Sequence, residues 1–324
     1  MNLLVLGGTV FLGRHVVDAA LAAGHEVTLF NRGHRQLVWP RDVEQLTGDR
    51  NGDLAALRGR HWDAVIDCSG YTPAQLAASG EVLREAVSHY VFVSSISVYA
   101  RFPPGQRYDE AAAVASGNDG YGPKKARAEE AIEAALPGRV SQVRPGLIVG
   151  PHDPTGRFSY WPARLARGGV VLAPGRPERA VQVIDVRDLA TWCVALAGAR
   201  RAGVFHGVGE QVSMGSLLAD CQAQCSPVGT RLAWWGDDAL LAAGVAPWSG
   251  LPLWLPESDA EFGGMLLADH TRALAAGLRL RPLRDTIAAT LHWLTHDPAA
   301  LAAGPATLTA AREAELLHAT PASG

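Results

Sequence analysis

Tyr121 and Lys125 are the residues whose types and spacing are best suited to acid–base chemistry. They are four residues apart, which places them on one face of a helix, and Pro123 between them fits a first helical turn. An unperturbed phenol has a pKa of about 10. Because a nearby ammonium and the positive end of a helix both favour the phenolate, we expect the pKa of Tyr121 to be lowered. Tyr121 is thus a candidate general acid or base, although such a pair alone is common and usually structural.

A glycine-rich turn near the start of the chain is the second candidate functional feature. It follows the apolar segment Asn2–Leu6 and precedes a segment of helical periodicity that ends near Gly24. A turn in this position brings a pyrophosphate to the free N–H groups and the positive end of a helix. An ordinary tight turn remains the alternative. The predicted cofactor contacts in the turn are Gly7, Thr9, Val10, Phe11, Leu12 and Gly13.

Short apolar segments alternate with helical segments through the first half of the chain. This alternation predicts an α/β fold with a doubly wound, parallel, Rossmann-type sheet. A later apolar segment, Val181–Ile184, is expected to return to the sheet and to precede a helix. The other predicted strands are Asn2–Leu6, Glu26–Phe30, Val43–Leu46, Ala64–Asp67, Tyr90–Ser94 and Val140–Arg144.

The same patterns divide the chain into two interwoven units. Residues 1–150, together with about 181–205, are predicted to form the dinucleotide-binding domain. Residues 151–180 and 206–300 are predicted to form a smaller substrate domain, rich in proline and tryptophan. Residues 301–324 form a tail with one helix expected near Ala310–His318.

The composition excludes several classes of protein. A net charge of −3 gives no general basic surface for nucleic acid. The sequence has no apolar run of the ~20 residues that a membrane span needs, and no signal peptide is recognisable, so a cytoplasmic location is expected. The four cysteines have no partner ligands at metal-binding spacing, so we expect reduced thiols and no metal.

The segment Val91–Tyr99 connects the two candidate features to a known family. Together with the glycine turn, in its Gly-Gly-x-x-Phe-x-Gly form, it resembles the extended short-chain dehydrogenase/reductases, which include NAD-dependent epimerases and dehydratases. The resemblance implies that Ser95, which precedes Tyr121 by 26 residues, is catalytic together with Tyr121 and Lys125. Most members carry a third glycine where this chain has Val10. The chloroplast stem-loop-binding branch of the family resembles the Gly-Gly-Thr-x-Phe form found here.

Further cofactor contacts are implied by the same resemblance. Asn31 and Arg32, with Arg35 nearby, stand where NAD-selective enzymes usually carry an acidic residue, so NADP is favoured over NAD. The alternative is that these arginines are solvated loop charges. Lys125 is expected to hold the ribose hydroxyls. The adenine side is expected at Asp49 and Arg50, and the nicotinamide side at Cys68, Ser69, Gly70 and Tyr121.

The leading functional hypothesis is hydride transfer to or from a small carbonyl or alcohol compound. Two positions that hold the substrate in the sugar-nucleotide branch carry Leu147 and Val181 here, and neither offers a polar partner to a diphosphate sugar. The alternatives are a sugar-nucleotide epimerase or dehydratase with tightly bound cofactor, and a non-catalytic nucleotide- or RNA-binding protein. A nucleic-acid or membrane partner is not expected, and a homodimer is left open. Candidate substrate contacts are Tyr71, Leu147, Phe158 and Trp161.

Overall fold

A seven-stranded parallel sheet is the centre of the computed structural model, which describes residues 1–35, 37–297 and 308–319. Parallel strands buried on both faces require helices on both sides, as the sequence predicts. From one edge to the other the strands are β3 (Glu44–Thr47), β2 (Glu26–Asn31), β1 (Asn2–Leu6), β4 (Trp62–Asp67), β5 (Val87–Val93), β6 (Val140–Pro145) and β10 (Gly203–Gly207).

Helices cover both faces of this sheet and confirm the predicted doubly wound fold. Two helices, α1 (Phe11–Ala22) and α5 (Val186–Ala199), pack on one face, and α2 (Pro73–Leu83) and α3 (Tyr121–Ala135) pack on the other. Two single 3-10 turns, Ala55–Leu57 and Ile96–Val98, connect elements of this half.

The second half of the chain adds two small sheets and a separate apolar core. One sheet has the order β11-β9-β7 and the other pairs β12 with β8. Their strands are β7 (Leu147–Val149), β8 (Val170–Pro174), β9 (Ala180–Asp185), β11 (Gln211–Ser213) and β12 (Arg231–Trp235). The remaining helices are α4 (Tyr160–Ala166), α6 (Met214–Cys225), α7 (Asp237–Ala242), α8 (Thr271–Ala275), α9 (Leu283–His296) and α10 (Ala310–His318).

The prediction that Val181–Ile184 returns to the large sheet is wrong. This segment lies in β9, which pairs with β7 and β11, and the large sheet is completed instead by β10. An apolar strand pattern indicates burial but does not say which neighbour satisfies the backbone hydrogen bonds. The chain therefore returns to the large sheet only after β9, through α5 and β10.

The predicted tail helix is present as α10, and it is docked on the second half rather than projecting from it. Glu313 is buried, and its carboxylate accepts hydrogen bonds from the Arg164 Nε at 2.6 Å and from the Leu172 backbone N–H at 3.0 Å. The rest of the predicted tail, residues 298–307 and 320–324, lies outside the described residues. No helix in the described ranges is long and apolar enough to cross a membrane.

A buried ion pair fixes α3 to the large sheet. The Arg144 guanidinium on β6 makes two hydrogen bonds to the Glu129 carboxylate on α3, at 3.0 and 2.7 Å, and a third to the Tyr99 hydroxyl at 2.9 Å. Both charged side chains are nearly inaccessible to water. Removing either partner would leave the other charge buried and uncompensated.

This pair yields a prediction about stability. Glu129→Ala should lower the free energy of unfolding by about 3–5 kcal/mol, because it leaves the Arg144 guanidinium buried without its counter-charge. The matched control is Glu130→Ala, which removes the neighbouring exposed pair with Arg127 and should cost less than about 1 kcal/mol. Urea unfolding of the two variants measures the difference. Equal small losses would show that the Arg144–Glu129 pair contributes little.

Candidate active site

A cleft of about 590 Å³ lies at the carboxyl edge of the large sheet. It lies between β1 and β4, where the strand order reverses. From this point β2 and β3 follow on the β1 side of the sheet, and β5, β6 and β10 follow on the β4 side. Ligands of open α/β sheets bind at such a switch point. The glycine turn lines one part of the cleft, and Ser95, Tyr121 and Lys125 line another.

The glycine turn has the close backbone packing that a phosphate site requires. Gly7 has a φ of 89°, and a Cβ added to Gly13 would lie only 2.4 Å from the Gly7 carbonyl oxygen. These glycines therefore bring the start of α1 hard against the end of β1. Val10 is the N-cap of α1, with φ −132°, and its side chain cannot accept a hydrogen bond from the first helical N–H groups. The first residues of α1 line the cleft, so their free N–H groups are candidate anion ligands.

The end of β2 carries a partly satisfied amide. The Asn31 Oδ1 accepts a hydrogen bond from the Gly33 N–H at 2.7 Å, which closes a tight turn. The Asn31 Nδ2 is buried and has no hydrogen-bond partner among the described residues. Arg32 and Arg35 are exposed and line the cleft beside it. This cluster offers an amide donor and two cations to a ligand at this end.

The two predicted adenine-side residues differ in exposure, since Asp49 is partly exposed and Arg50 is buried. Asp49 organises its own loop, because its carboxylate accepts from the Asn51 backbone N–H at 2.9 Å. Arg50 instead turns inward and donates to the Asp67 carboxylate at 2.6 Å and to the Ser79 hydroxyl at 2.9 Å. Its guanidinium also borders the cleft. Arg50 thus ties the loop after β3 to the end of β4.

Lys125 is buried at the cleft and held by two backbone carbonyls. Its ammonium donates to the carbonyl oxygens of Gly70 and Val93, both at 2.7 Å, so two of its three N–H groups are committed. It also lies 4.5 Å from the centroid of the Phe92 ring. Burial lowers the pKa of Lys125 to about 8, although the nearby Asp67 carboxylate acts in the opposite direction.

Ser95 and Tyr121 lie side by side at the same end of the cleft. Ser95 lies two residues after the end of β5 and caps the 3-10 turn Ile96–Val98, accepting a hydrogen bond from the Ser97 N–H at 3.0 Å. Tyr121 is the first residue of α3, as predicted, and its side chain is close enough to that of Ser95 to influence its pKa. The structure therefore brings together the three residues of the predicted catalytic set.

The expectation of a lowered Tyr121 pKa is not met. Partial burial of the phenol in the cleft raises the pKa of Tyr121, and its interaction with the Ser95 side chain opposes this only in part. The Lys125 ammonium, which was expected to lower this pKa, donates instead to two backbone carbonyls. At neutral pH Tyr121 carries its proton.

The predicted substrate contacts separate into one cleft residue and three core residues. Tyr71 lines the cleft and is 54% exposed. Phe158 and Trp161 are fully buried in the apolar core of the second half, and the Trp161 indole donates to the Pro252 carbonyl at 3.0 Å. Leu147 is nearly buried in the same cluster. The expectation that these three contact substrate is thus corrected: they pack against one another and against their apolar neighbours.

Several residues that line the cleft were missed by the sequence analysis. Gln75 could have been found, because Thr72-Pro73-Ala74-Gln75 is a capping-box pattern and both reciprocal hydrogen bonds are present. Others include His34, Asn51, Ser94 and Pro154 in loops and Ile148 in β7, and none of these has a local sequence signal.

Metal-binding chemistry finds no support in the described part of the chain. No cluster of three or more His, Cys, Asp or Glu side chains is present there that could hold an ion. The cysteines are free, and burial raises the pKa of the Cys68 thiol at the cleft well above its usual value. Cys68 is therefore a protonated thiol at neutral pH.

Residues 3–208 match the NAD dependent epimerase/dehydratase family. The chain belongs to this family. That membership agrees with the glycine turn, the parallel sheet and the cleft at its switch point.

Two curated relatives are similar over part of their length. The chloroplast stem-loop binding protein of 41 kDa b from Arabidopsis thaliana is 26% identical over 68% of this chain. The 2-alkyl-3-oxoalkanoate reductase of Stenotrophomonas maltophilia is 30% identical over 47% of this chain. The matches span only 62% and 52% of those two proteins.

Solved structures share the fold over nearly the whole chain. The UDP-glucuronic acid 4-epimerase of Bacillus cereus, crystallised with NAD, superimposes with a TM-score of 0.65. It is 15% identical, and the match covers 91% of this chain and 96% of that one.

The start of α3 gives a prediction about the site. A Cβ on Gly122 would lie 2.0 Å from the Ser97 carbonyl oxygen, so Gly122→Ala should push α3 away from the strand end that carries Ser95. We expect a loss of about 1–3 kcal/mol in unfolding free energy. The control is Gly198→Ala in α5, where the added Cβ meets only the flexible end of Met1 at 3.2 Å. Urea unfolding tests both; equal stability of the two variants would contradict the close contact.

Proposed function

We propose that this chain is an NADP-dependent oxidoreductase that transfers hydride between its cofactor and a small carbonyl or alcohol compound. One observation carries the proposal: Ser95, Tyr121 and Lys125 converge in the cleft whose other part is the glycine turn at the start of α1. A cleft of about 590 Å³ lies within the size range of cofactor sites.

The cleft residues fit a nicotinamide dinucleotide. The closely packed glycine turn offers backbone N–H groups to a pyrophosphate. The buried Asn31 Nδ2 and the buried Ser94 Oγ, which have no partner among the described residues, offer polar contacts inside the cleft. Lys125 has one N–H group left after its two backbone bonds, which suits a ribose hydroxyl. When bound, the cofactor supplies or accepts the hydride.

The protein's own part is to hold the substrate oxygen and to move one proton. Ser95 orients the oxygen of the carbonyl or alcohol by a hydrogen bond. As the carbonyl carbon gains hydride, Tyr121 gives its phenol proton to the oxygen, and in the reverse direction it takes that proton back. The raised pKa of Tyr121 keeps the phenol protonated at neutral pH, so the proton that reduction requires is present on this group.

A small substrate is favoured by the packing of the second half. Leu147 and Val181 stand where the sugar-nucleotide branch of the family has polar contacts, and both are sealed in an apolar core with Trp254. A diphosphate sugar would find no polar partner at these positions. The similarity to a 2-alkyl-3-oxoalkanoate reductase supports a carbonyl substrate.

Two other functions remain as rivals. A nucleotide-sugar epimerase or dehydratase is favoured by the family membership and by the fold shared with the Bacillus cereus epimerase. A role in RNA binding is suggested by the stem-loop binding relative. The net charge of −3 and the assembled Ser95–Tyr121–Lys125 set weigh against RNA binding.

The cofactor preference is testable at the end of β2. Arg32 and Arg35 are available to pair with a 2′-phosphate, and each charge-assisted hydrogen bond is worth about 1.5–3 kcal/mol. Arg32→Ala should therefore weaken NADPH binding roughly tenfold or more and leave NADH binding nearly unchanged. Calorimetric titration measures both affinities, with the exposed Arg41→Ala as control. Equal affinities for the two cofactors, insensitive to Arg32→Ala, would mark these arginines as ordinary surface charges.

The proton transfer is testable at Tyr121. Tyr121→Phe removes one hydroxyl and should keep the fold and cofactor affinity, but it should reduce turnover by about 10²–10⁴-fold. The assay pairs NADPH with ketones and aldehydes, beside UDP-, dTDP- and GDP-sugars without added reductant. Tyr160→Phe removes a hydroxyl on α4, outside the cleft, and is the control. Full activity of Tyr121→Phe would refute the mechanism, and turnover of a nucleotide sugar alone would make the epimerase the better assignment.

A further inference from the structure

Two of the most exposed aromatic side chains lie at the same cleft. Among the described residues, Tyr71 is 54% exposed, Tyr121 is 52% exposed, and the next exposed aromatic ring, Phe262, is 38% exposed. Tyr71 and Tyr121 both line the cleft, and Phe262 does not. An aromatic ring carries a large apolar surface whose burial is favourable, so two such rings at one opening indicate a surface that a ligand covers.

Tyr71 is exposed but its backbone is firmly placed. Its N–H donates to the Gln75 Oε1 at 2.9 Å, and the Gln75 Nε2 donates to the Asn51 Oδ1 at 3.0 Å. The Gln75 side chain therefore bridges the segment after β4 to the loop after β3. A ring on a mobile loop tip would be free to turn away from the cleft, whereas this anchoring keeps Tyr71 at its opening.

Tyr71 lies close to two members of the predicted catalytic set, Lys125 and Tyr121. The Lys125 ammonium lies 5.5 Å from the centroid of the Tyr71 ring. The Tyr71 phenol is close enough to that of Tyr121 to help raise the pKa of Tyr121. The lining of the cleft also includes the apolar side chains of Ile148 and Pro154. The cleft thus combines aromatic and apolar walls with a few polar groups, as sites for small organic ligands do.

We propose that Tyr71 is a specificity-determining residue, whose ring packs against an apolar substituent, preferably planar, attached to the carbon that bears the reacting oxygen. Tyr121 and Ser95 hydrogen-bond to that oxygen, and Tyr71 determines which substituent on the neighbouring carbon is bound well. This inference rests on the proposed function, since it assumes a carbonyl or alcohol substrate. It predicts that aromatic ketones bind better than short aliphatic ones.

Binding to the complex with oxidised cofactor tests the selection without any turnover. Protein saturated with NADP⁺ is titrated with acetophenone, cyclohexyl methyl ketone and butanone, and dissociation constants are measured by ligand-observed NMR. The wild type should bind acetophenone most tightly and butanone most weakly. Tyr71→Ala should weaken acetophenone binding roughly tenfold, whereas butanone should change little.

Two matched variants separate the ring from the hydroxyl and from general damage. Tyr71→Phe keeps the aromatic face and should bind acetophenone within about twofold of the wild type, because the stacking surface is retained. Phe262→Ala removes an exposed ring outside the cleft and should have no effect. The affinity for NADP⁺ should be the same in all variants.

Each remaining outcome overturns the inference. Acetophenone and butanone binding equally, Tyr71→Ala binding acetophenone as the wild type does, or no ketone binding at all would each remove the proposed role. A parallel loss of NADP⁺ affinity in Tyr71→Ala would assign the ring to the cofactor instead. Failure of the proposed function would give a different result. A UDP-sugar would then bind the complex of protein and NADP⁺, and none of the three ketones would bind it.

Discussion

The buried ammonium of Lys125 is the interaction on which the cleft depends. A buried cation is costly unless it is paired or fully hydrogen-bonded. Here it is held by the carbonyl oxygens of Gly70, just after β4, and Val93, at the end of β5. A single side chain therefore joins the first turn of α3 to two adjacent strand ends. Since α3 begins with Tyr121 and β5 leads into Ser95, the geometry of both follows from that junction.

Buried carboxylates on either side support this cation. Asp67 at the end of β4 and Glu129 one turn further along α3 both act to raise the pKa of Lys125 and so offset part of the cost of burial. Each carboxylate is in turn paired with an arginine, Asp67 with Arg50 and Glu129 with Arg144. Lys125 is thus flanked by paired charges, whereas the second half of the chain is held together mainly by apolar packing.

Much of this arrangement could be predicted from the sequence, because it depends on local signals. The glycine turn after β1 and the start of α3 at Tyr121 follow from glycine and proline chemistry and from spacing. The place of β9 could not be predicted, since periodicity does not identify a strand's partner. Nor could the burial of Phe158 and Trp161, because an aromatic residue suits a core and a ligand wall equally well. The raised pKa of Tyr121 depends on how far its phenol is buried, which only the three-dimensional contacts define.

Net hydride transfer at the Ser95–Tyr121–Lys125 end of the cleft is the central claim, and isotope transfer tests it most directly. NADPH carrying deuterium at the transferring position of nicotinamide C4 would be incubated with the protein and a panel of ketones and aldehydes, with UDP-sugars in parallel. The product alcohols would be analysed by mass spectrometry. One deuterium is expected on the former carbonyl carbon, together with a matching amount of NADP⁺. Conversion of a UDP-sugar with no deuterium gained and no NADPH consumed, while the carbonyl compounds stay unchanged, would contradict it.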